Sequence, residues 1–138
     1  MSDDTQLDGL ARVISERASY REYMDCTVVA LAIVSDLPYS IVHDMLARAG
    51  RKDCHKFALT SYMLDLDTMG QYVIERIQMP QSYLTLAKLR KDFPKGRFLV
   101  RIRAHCFVMI DGKIIDRVPN GGNCLIRAIW HFTRECTQ

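Results

Sequence analysis

The feature that most constrains the fold of this chain is a predicted β-hairpin centred on Asp111-Gly112. A run of strand-forming residues precedes the pair, from His105 to Ile110, and another follows it, from Lys113 to Val118. Asp-Gly favours the two-residue type I′ turn, because both central positions of that turn need a positive φ. The turn pairs Ile110 with Lys113 and thereby fixes the register of every residue farther out.

This register brings a histidine close to an aspartate. Counting outward from the turn, Phe107 lies opposite Asp116 and His105 lies opposite Val118, so His105 and Asp116 are predicted to be diagonal neighbours on one face. Diagonal neighbours have backbones roughly 7–8 Å apart, which lets an imidazole and a carboxylate meet through their side chains. The carboxylate would fix the tautomer of the imidazole and stabilise its protonated form.

A cysteine begins the most apolar helix of the sequence. Residues 27–34 are apolar on every side of a helix, which predicts that the helix is buried all round. Asp25 stands at the N-cap position and Cys26 in the first turn, where the positive end of the helix dipole lowers the pKa of a thiol. Cys26, His105 and Asp116 then match a nucleophile, a general base and an orienting carboxylate. The alternative interpretation is that Cys26 packs in the core and His105 is structural.

The remaining hydrophobic pattern places helices before strands. It predicts, in chain order, a helix over 7–17, a helix beginning at Pro38, a short helix over 57–67, a strand over 72–74, a short helix capped by Thr85, a strand over 97–103 with one buried and one basic face, and a strand over 124–132. We therefore predict an α+β fold in which N-terminal helices pack on a C-terminal antiparallel sheet. We expect residues 1–138 to form one domain, with 1–19 as an N-terminal helical extension.

Composition excludes several classes of protein. The chain has 138 residues, of which 49% are hydrophobic and 25% charged, as expected for one globular domain. No apolar run approaches the ~18 residues of a membrane span, and the acidic start at Ser2-Asp3-Asp4 does not resemble a signal peptide. We expect a cytoplasmic protein that has no membrane partner.

The cysteines do not form a recognisable framework. There are five, an odd number, and their spacing is too wide for a disulfide scaffold or for paired zinc ligands. The sequence therefore predicts reduced thiols, no metal site and no cofactor. Apart from Cys26, the cysteines are interpreted as packing or incidental residues, namely Cys54, Cys106, Cys124 and Cys136.

Positive charge is concentrated in the second half of the chain. Residues 1–70 contain 7 basic and 11 acidic side chains, whereas residues 71–138 contain 12 and 5. Most of the excess lies between Lys88 and Arg103, where Asp92 is the only acidic residue. This basic run, residues 88–103, predicts either a solvated face or a patch for an acidic substrate or partner beside the proposed site. Nucleic-acid binding through the same run is the least favoured interpretation.

Two segments resemble a known superfamily. Asp25-Cys26-Thr27-Val28-Val29-Ala30-Leu31-Ala32, together with the late hairpin from Ala104 to Asp116, resembles the papain-like cysteine peptidases, especially small bacteriocin-processing peptidase domains. The chain is also similar to small uncharacterised phage and prophage proteins, through Cys26, Pro38-Tyr39, Ala49-Gly50-Arg51-Lys52 and Pro94-Lys95-Gly96-Arg97. The resemblance covers most of residues 20–132.

The resemblance implies a papain-like fold and a cysteine hydrolase that cleaves a peptide, isopeptide or other amide bond through a thioester. Cys26 would attack the carbonyl, His105 would act as base and then acid, and Asp116 would orient His105. A phage-encoded enzyme of this kind would act on a host protein in the host cytoplasm.

One departure from the papain-like pattern concerns the oxyanion. The Cys26 N–H would supply one donor, but no glutamine lies between Gln6 and Gln71 to supply the usual second. Ser19, Tyr20 and Tyr23 are the candidate replacements. The absence of this glutamine supports an alternative, a catalytically inactive papain-fold protein that binds a host or partner protein.

Overall fold

The structure is a computed structural model that describes residues 3–22, 24–53, 55, 57, 63, 66, 68–78, 85–103, 105–116 and 125–134. Its helices are α1 (Asp3–Arg17), α2 (Cys26–Ser35), α3 (Tyr39–Arg48) and α4 (Leu86–Asp92), with a 3-10 turn at Ala18–Tyr20. Its strands are β1 (Thr68–Met69), β2 (Tyr72–Arg76), β3 (Arg97–Ile102), β4 (His105–Ile110), β5 (Lys113–Ile115) and β6 (Ala128–Arg134). The predicted α+β class is confirmed.

The strands form one antiparallel sheet. Their order is β1-β2-β6-β3-β4-β5, so β6 lies between β2 and β3 although it follows every other strand in sequence. A final strand is present as predicted, but it runs over Ala128–Arg134 rather than 124–132, and it lies in the interior of the sheet. The strands β3, β4 and β5 lie on the other side of β6 from β1 and β2. The candidate site residue His105 begins β4, and Asp116 directly follows β5.

The predicted hairpin forms in the predicted register. Ile110 pairs with Lys113, and the ladder continues outward to the pair Val108 and Ile115. Asp111 and Gly112 have φ values of 51° and 81°, as a type I′ turn requires. The second strand ends at Ile115, and Asp116 follows it directly. Residues 117 and 118, which were predicted to continue this strand, lie outside the described residues.

Both faces of the sheet are covered. Leu99, Val108 and Trp130 belong to a core cluster that contains buried residues of α1, α2 and α3. Phe98, Phe107 and Ile129 belong to a second cluster that contains Leu86 and Leu89 of α4. The two clusters show that a helical layer packs on each side of the sheet.

The prediction that β3 has one buried and one basic face was wrong. Leu99 on the supposedly basic face is 0% exposed, because α2 packs over it. Arg97, on the same face, points its guanidinium at the end of α2, where it donates to the carbonyls of Ile33 and Val34. A strand between two helical layers needs apolar side chains in both directions, and a single alternating pattern does not show the second layer.

Helix α1 joins the same core as α2 and α3. Val13 is 0% exposed, and Arg12 donates to the carbonyl oxygens of Ala32 at 3.2 Å and Leu37 at 3.1 Å. The segment predicted as an N-terminal extension therefore packs against the helix that carries Cys26.

Two further predictions concern short helices. The cap of α4 is confirmed, because the Thr85 hydroxyl accepts a hydrogen bond from the Lys88 amide at 3.2 Å. Of the helix predicted over 57–67, only residues 57, 63 and 66 are among the described residues, and the others lie outside them. Within the described ranges, none of the helices is long and apolar enough to cross a membrane.

Candidate active site

Cys26 is the first residue of α2, and the residue before it does not act as predicted. Asp25 occupies the N-cap position, but its side chain makes no capping hydrogen bond. The predicted cap was therefore wrong. Its carboxylate accepts instead from the Arg17 side chain, at 2.6 Å from Nε and 3.0 Å from Nη2, and from the Tyr39 hydroxyl at 2.9 Å. A two-pronged guanidinium contact and a buried hydroxyl outcompete the weaker bond to the backbone.

This arrangement ties the start of α2 to both neighbouring helices. The Asp25 side chain is 0% exposed, Arg17 ends α1, and Tyr39 begins α3. The hydrogen bond to Asp25 raises the pKa of Arg17, while burial and then the same carboxylate raise the pKa of Tyr39. Asp25 is thus held away from the first-turn N–H groups of α2, which its side chain does not cover.

The segment that leads into Cys26 is held from several sides. The Glu22 carboxylate lies 2.8 Å from a His43 ring nitrogen and 2.8 Å from the Arg51 guanidinium. Arg51 also donates to the Met24 carbonyl at 3.0 Å, and the Met24 amide donates to the Asp53 side chain at 2.8 Å. These contacts fix the backbone on the N-terminal side of the thiol.

His105 and Asp116 meet as the hairpin register predicted. His105 Nε2 lies 2.6 Å from Asp116 Oδ2, with side-chain exposures of 23% and 7%. His105 also hydrogen-bonds with Cys26. Asp116 first and Cys26 second raise the pKa of His105 to about 9, against the opposing effect of burial. The structure therefore brings together all three predicted site residues.

The Cys26 thiol is strongly acidic in this environment. Its pKa is lowered to about 4, first by the hydrogen bond from the Cys106 side chain and then by His105 and the Cys106 backbone, while burial opposes the shift. Between pH of about 4 and about 9, the arrangement favours a Cys26 thiolate next to a His105 imidazolium. Such an ion pair is the reactive form of a cysteine nucleophile.

Cys106 is the site residue that the sequence analysis missed. It was interpreted as a packing residue, yet its thiol and its backbone both hydrogen-bond with Cys26, and the Thr27 hydroxyl lies 3.9 Å from its sulfur. The hydrogen bond with Cys26 and burial raise the pKa of Cys106 well above its usual value. Strand alternation places Cys106 and His105 on opposite faces, so the sequence carries no signal that both reach one thiol.

The end of β5 explains how both residues reach Cys26. The last pair between β4 and β5 joins Val108 to Ile115, so His105 and Cys106 extend beyond β5 at the start of β4. Within the described residues, β4 is paired there with β3 alone. At such an edge a side chain can turn past the strand toward the helix. The site thus forms where a helix begins, one strand begins and its neighbour ends.

The structure describes two of the three candidates for the second oxyanion donor. Ser19 is exposed. Tyr20 packs its ring against Tyr39 and His43, with centroid distances of 4.9 and 4.5 Å. Tyr23 lies outside the described residues.

A shallow depression adjoins the thiol. Its volume is about 200 Å³, part of which is open to solvent. The lining residues are Cys26, Val29, Ala30, Ile33, Cys106, Phe107, Ile115 and Asp116. The described parts of the chain contain no group of three or more His, Cys, Asp or Glu side chains arranged to hold a metal.

Several cations of the basic run contact the chain itself. Lys88 lies 3.3 Å from Asp92, and Arg90 donates to the Gly112 carbonyl at 3.0 Å. Arg97 binds the end of α2, as described above. Arg101 pairs with Cys106 across β3 and β4 and is the basic side chain nearest the thiols in register.

Comparisons of the chain with family models, curated proteins and solved structures found no match.

Proposed function

We propose that this protein is a papain-like cysteine hydrolase that cleaves a peptide, isopeptide or other amide bond. The observation that supports the proposal most directly is the chain of contacts from Cys26 to His105 to Asp116. A nucleophile contacts a base, and the base is oriented by a carboxylate 2.6 Å from its far nitrogen. This order of contacts is what a cysteine nucleophile needs.

Acylation begins from the thiolate. The Cys26 sulfur attacks the carbonyl carbon, and the electron pair of the C=O bond moves to oxygen to give a tetrahedral oxyanion. The oxyanion collapses as the C–N bond breaks, and His105 gives its Nδ1 proton to the leaving amine. The product is a thioester on Cys26 and a neutral His105 that Asp116 keeps in place.

Deacylation restores the enzyme. Neutral His105 takes a proton from water through Nδ1, and the resulting hydroxide attacks the thioester carbonyl. The C–S bond breaks, the acid product leaves, and the thiolate and imidazolium form again. Because the pKa of His105 is raised, the ring keeps the proton that it took from water, and the ion pair is restored.

The start of α2 supplies the oxyanion donor in this mechanism. The Cys26 N–H stands at the positive end of the helix, and the Asp25 side chain does not cap this turn. Arg101 on the neighbouring strand adds positive charge beside Cys106, which favours a substrate with a carboxylate near the cleaved bond. The preferred substrates are therefore acidic peptide or protein segments, including a host protein if a phage encodes the enzyme.

The reactive ion pair is tested by alkylation with iodoacetamide at pH 5. Relative to an ordinary thiol, Cys26 has roughly 3,000-fold more thiolate at this pH but about 100-fold lower intrinsic nucleophilicity, so we expect labelling about 30-fold faster than a free thiol. His105→Ala should slow it about tenfold. The matched control is His131→Ala, since that ring stacks on Phe98 at 4.6 Å, away from the thiols. Equal rates for all cysteines would rule out the ion pair.

Turnover separates an enzyme from an inactive binding protein. With p-nitrophenyl acetate as the acyl donor, a hydrolase should release a burst of p-nitrophenol followed by steady release, and acetyl should be found on Cys26. His105→Ala should abolish the steady phase. Release that stops at one equivalent in the wild type would favour the alternative, a papain-fold protein that binds its partner without catalysis.

Nucleic-acid binding through the basic run is weakened as a proposal by the intramolecular contacts of Lys88, Arg90 and Arg97. It predicts affinity for duplex DNA or RNA that falls steeply with added salt. Absence of binding at low ionic strength would remove it.

A further inference from the structure

The proposed hydrolytic mechanism uses only one of two neighbouring thiols. Cys26 reacts in it, and Cys106 does not. Both line the same depression, and the two side chains hydrogen-bond with each other. Cys106 is only 6% exposed, so any reagent that reaches the depression meets Cys26, which is partly exposed, more readily. The pair thus joins a partly exposed thiol to a buried one through a hydrogen bond.

We infer that Cys26 and Cys106 form an oxidative modification site, in which a hydroperoxide oxidises Cys26 and Cys106 captures it as an intramolecular disulfide. The small depression suits a small oxidant such as hydrogen peroxide. The disulfide blocks the sulfur that the proposed hydrolase needs, so oxidation switches the enzyme off reversibly. This last consequence rests on the proposed function, whereas formation of the disulfide does not.

The first step consumes the peroxide. The Cys26 thiolate attacks one oxygen of hydrogen peroxide, the O–O bond breaks, and Cys26 becomes a sulfenic acid. The leaving hydroxide takes the proton of the His105 imidazolium and departs as water. Sulfur is thereby oxidised by two electrons and peroxide is reduced by two.

The second step closes the disulfide. The Cys106 sulfur attacks the sulfenic sulfur of Cys26, the S–O bond breaks, and the S–S bond forms. The hydroxide that leaves carries away the thiol proton of Cys106 as water. Because β4 is paired only with β3 at this point among the described residues, the start of the strand can move the short distance that a disulfide bond of about 2.05 Å requires. Capture of this kind protects Cys26 from irreversible oxidation.

The test uses the full chain with Cys54, Cys124 and Cys136 replaced by serine, so that only the two thiols of interest remain. After treatment with hydrogen peroxide and blocking with iodoacetamide, trypsin should give a disulfide-linked pair of peptides covering 22–48 and 104–113. Dithiothreitol should separate them and restore alkylation of Cys26 completely. The unsubstituted chain should give the same linked pair.

Cys106→Ser provides the decisive variant. It should lose the linked pair entirely, accumulate dimedone-reactive sulfenic acid on Cys26, and fail to recover alkylation with dithiothreitol after prolonged peroxide. Sulfenic or sulfinic acid on Cys26 without the linked pair, when Cys106 is present, would overturn the inference. A linked pair in a chain that never turns over p-nitrophenyl acetate would overturn the proposed hydrolase and leave the modification site standing.

Discussion

The two ends of α2 are treated differently by the rest of the molecule. At its C-terminal end, the Asp36 amide bonds back to the Ile33 carbonyl, and the Arg97 guanidinium donates to the carbonyls of Ile33 at 2.9 Å and Val34 at 3.0 Å. At its N-terminal end, the Asp25 carboxylate turns away to Arg17 and Tyr39 and makes no cap. At the C-terminal end, the helix carbonyls have hydrogen-bond donors. At the N-terminal end, the backbone is held in position, but the Asp25 side chain does not cap the first turn.

This difference agrees with the proposed function, which needs free N–H groups at the start of α2. A side-chain cap contributes about 1 kcal/mol to an ordinary helix, and its absence is expected where the N–H groups have another use. Cys26 lies at the uncapped end. The same helix is therefore anchored at one end and carries the thiol of the proposed nucleophile at the other.

The largest expected effect is loss of the anchor that replaces the cap. Asp25→Asn removes the buried partner of the Arg17 charge and should lower the free energy of unfolding by about 3 kcal/mol, as measured by urea denaturation. Asp36→Asn is the matched variant at the other end, where the side chain is 45% exposed and its ion pair with Arg97 is 3.4 Å long. It should cost less than about 1 kcal/mol. Equal losses would contradict the distinction between the two ends.

A smaller loss of stability is expected when the C-terminal end of α2 loses the hydrogen bonds from Arg97. Arg97→Met keeps much of the side-chain volume but removes the donors to two helix carbonyls, and it should lower the free energy of unfolding by about 2 kcal/mol. Arg103→Met, at an exposed position of the same basic run, should change stability by less than about 0.5 kcal/mol. If both variants behave alike in urea denaturation, Arg97 acts only as a surface charge.

Helix α4 shows what an ordinary cap contributes. Thr85→Ala removes the hydroxyl that accepts from the Lys88 amide and should cost about 1 kcal/mol, whereas Thr85→Ser should retain most of it. Asp25→Ser then sharpens the comparison, because serine is able to cap α2. If Asp25→Ser proves as stable as the wild type in the same denaturation experiment, the anchor to Arg17 contributes no more than a cap.

The pH dependence that the ion pair confers on stability provides a separate test of the uncapped end. The pKa of Cys26 is lowered from 9.0 to about 4, so its contribution is complete above pH 9 and is lost as the pH falls through 4. The pKa of His105 is raised from 6.5 to about 9, so its contribution is complete below pH 6.5 and is lost as the pH rises through 9. Between pH 6.5 and 9 the two changes oppose each other.

The measurement is the difference in the free energy of unfolding between the wild type and the Cys26→Ala/His105→Ala double variant. The difference should rise from pH 4 to 6.5 and stay level from 6.5 to 9. A difference that stays level from pH 4 to 6.5 would show that Cys26 is not held as a thiolate.

The features of the fold and of the site that could be predicted from the sequence are those fixed by local geometry. The Asp111-Gly112 turn sets a register, the register sets the contact between His105 and Asp116, and both are observed. Likewise Thr85 caps a helix within three residues of itself. In each case the residues that decide the outcome lie close together in sequence.

The parts that were missed depend on partners far away in sequence. Asp25 could cap its own helix, and only the meeting of α1 with α3 offers it Arg17 and Tyr39 instead. Cys106 joins the site where the described pairing of β4 with β5 stops at Val108 and Ile115, which no periodic pattern records. The second buried face of β3 needs α2, which a strand pattern alone does not reveal.

The central position of β6 has a consequence for how the chain folds. Until residues 128–134 have been synthesised, β2 and β3 lack the strand that joins them, and the sheet exists only as two separate pieces. Their unpaired edges and the apolar surface that Trp130 and Phe132 later cover are exposed during that interval. Pairing of strands so distant in sequence is intrinsically slow, so the nascent protein passes through a stage that favours aggregation or chaperone binding.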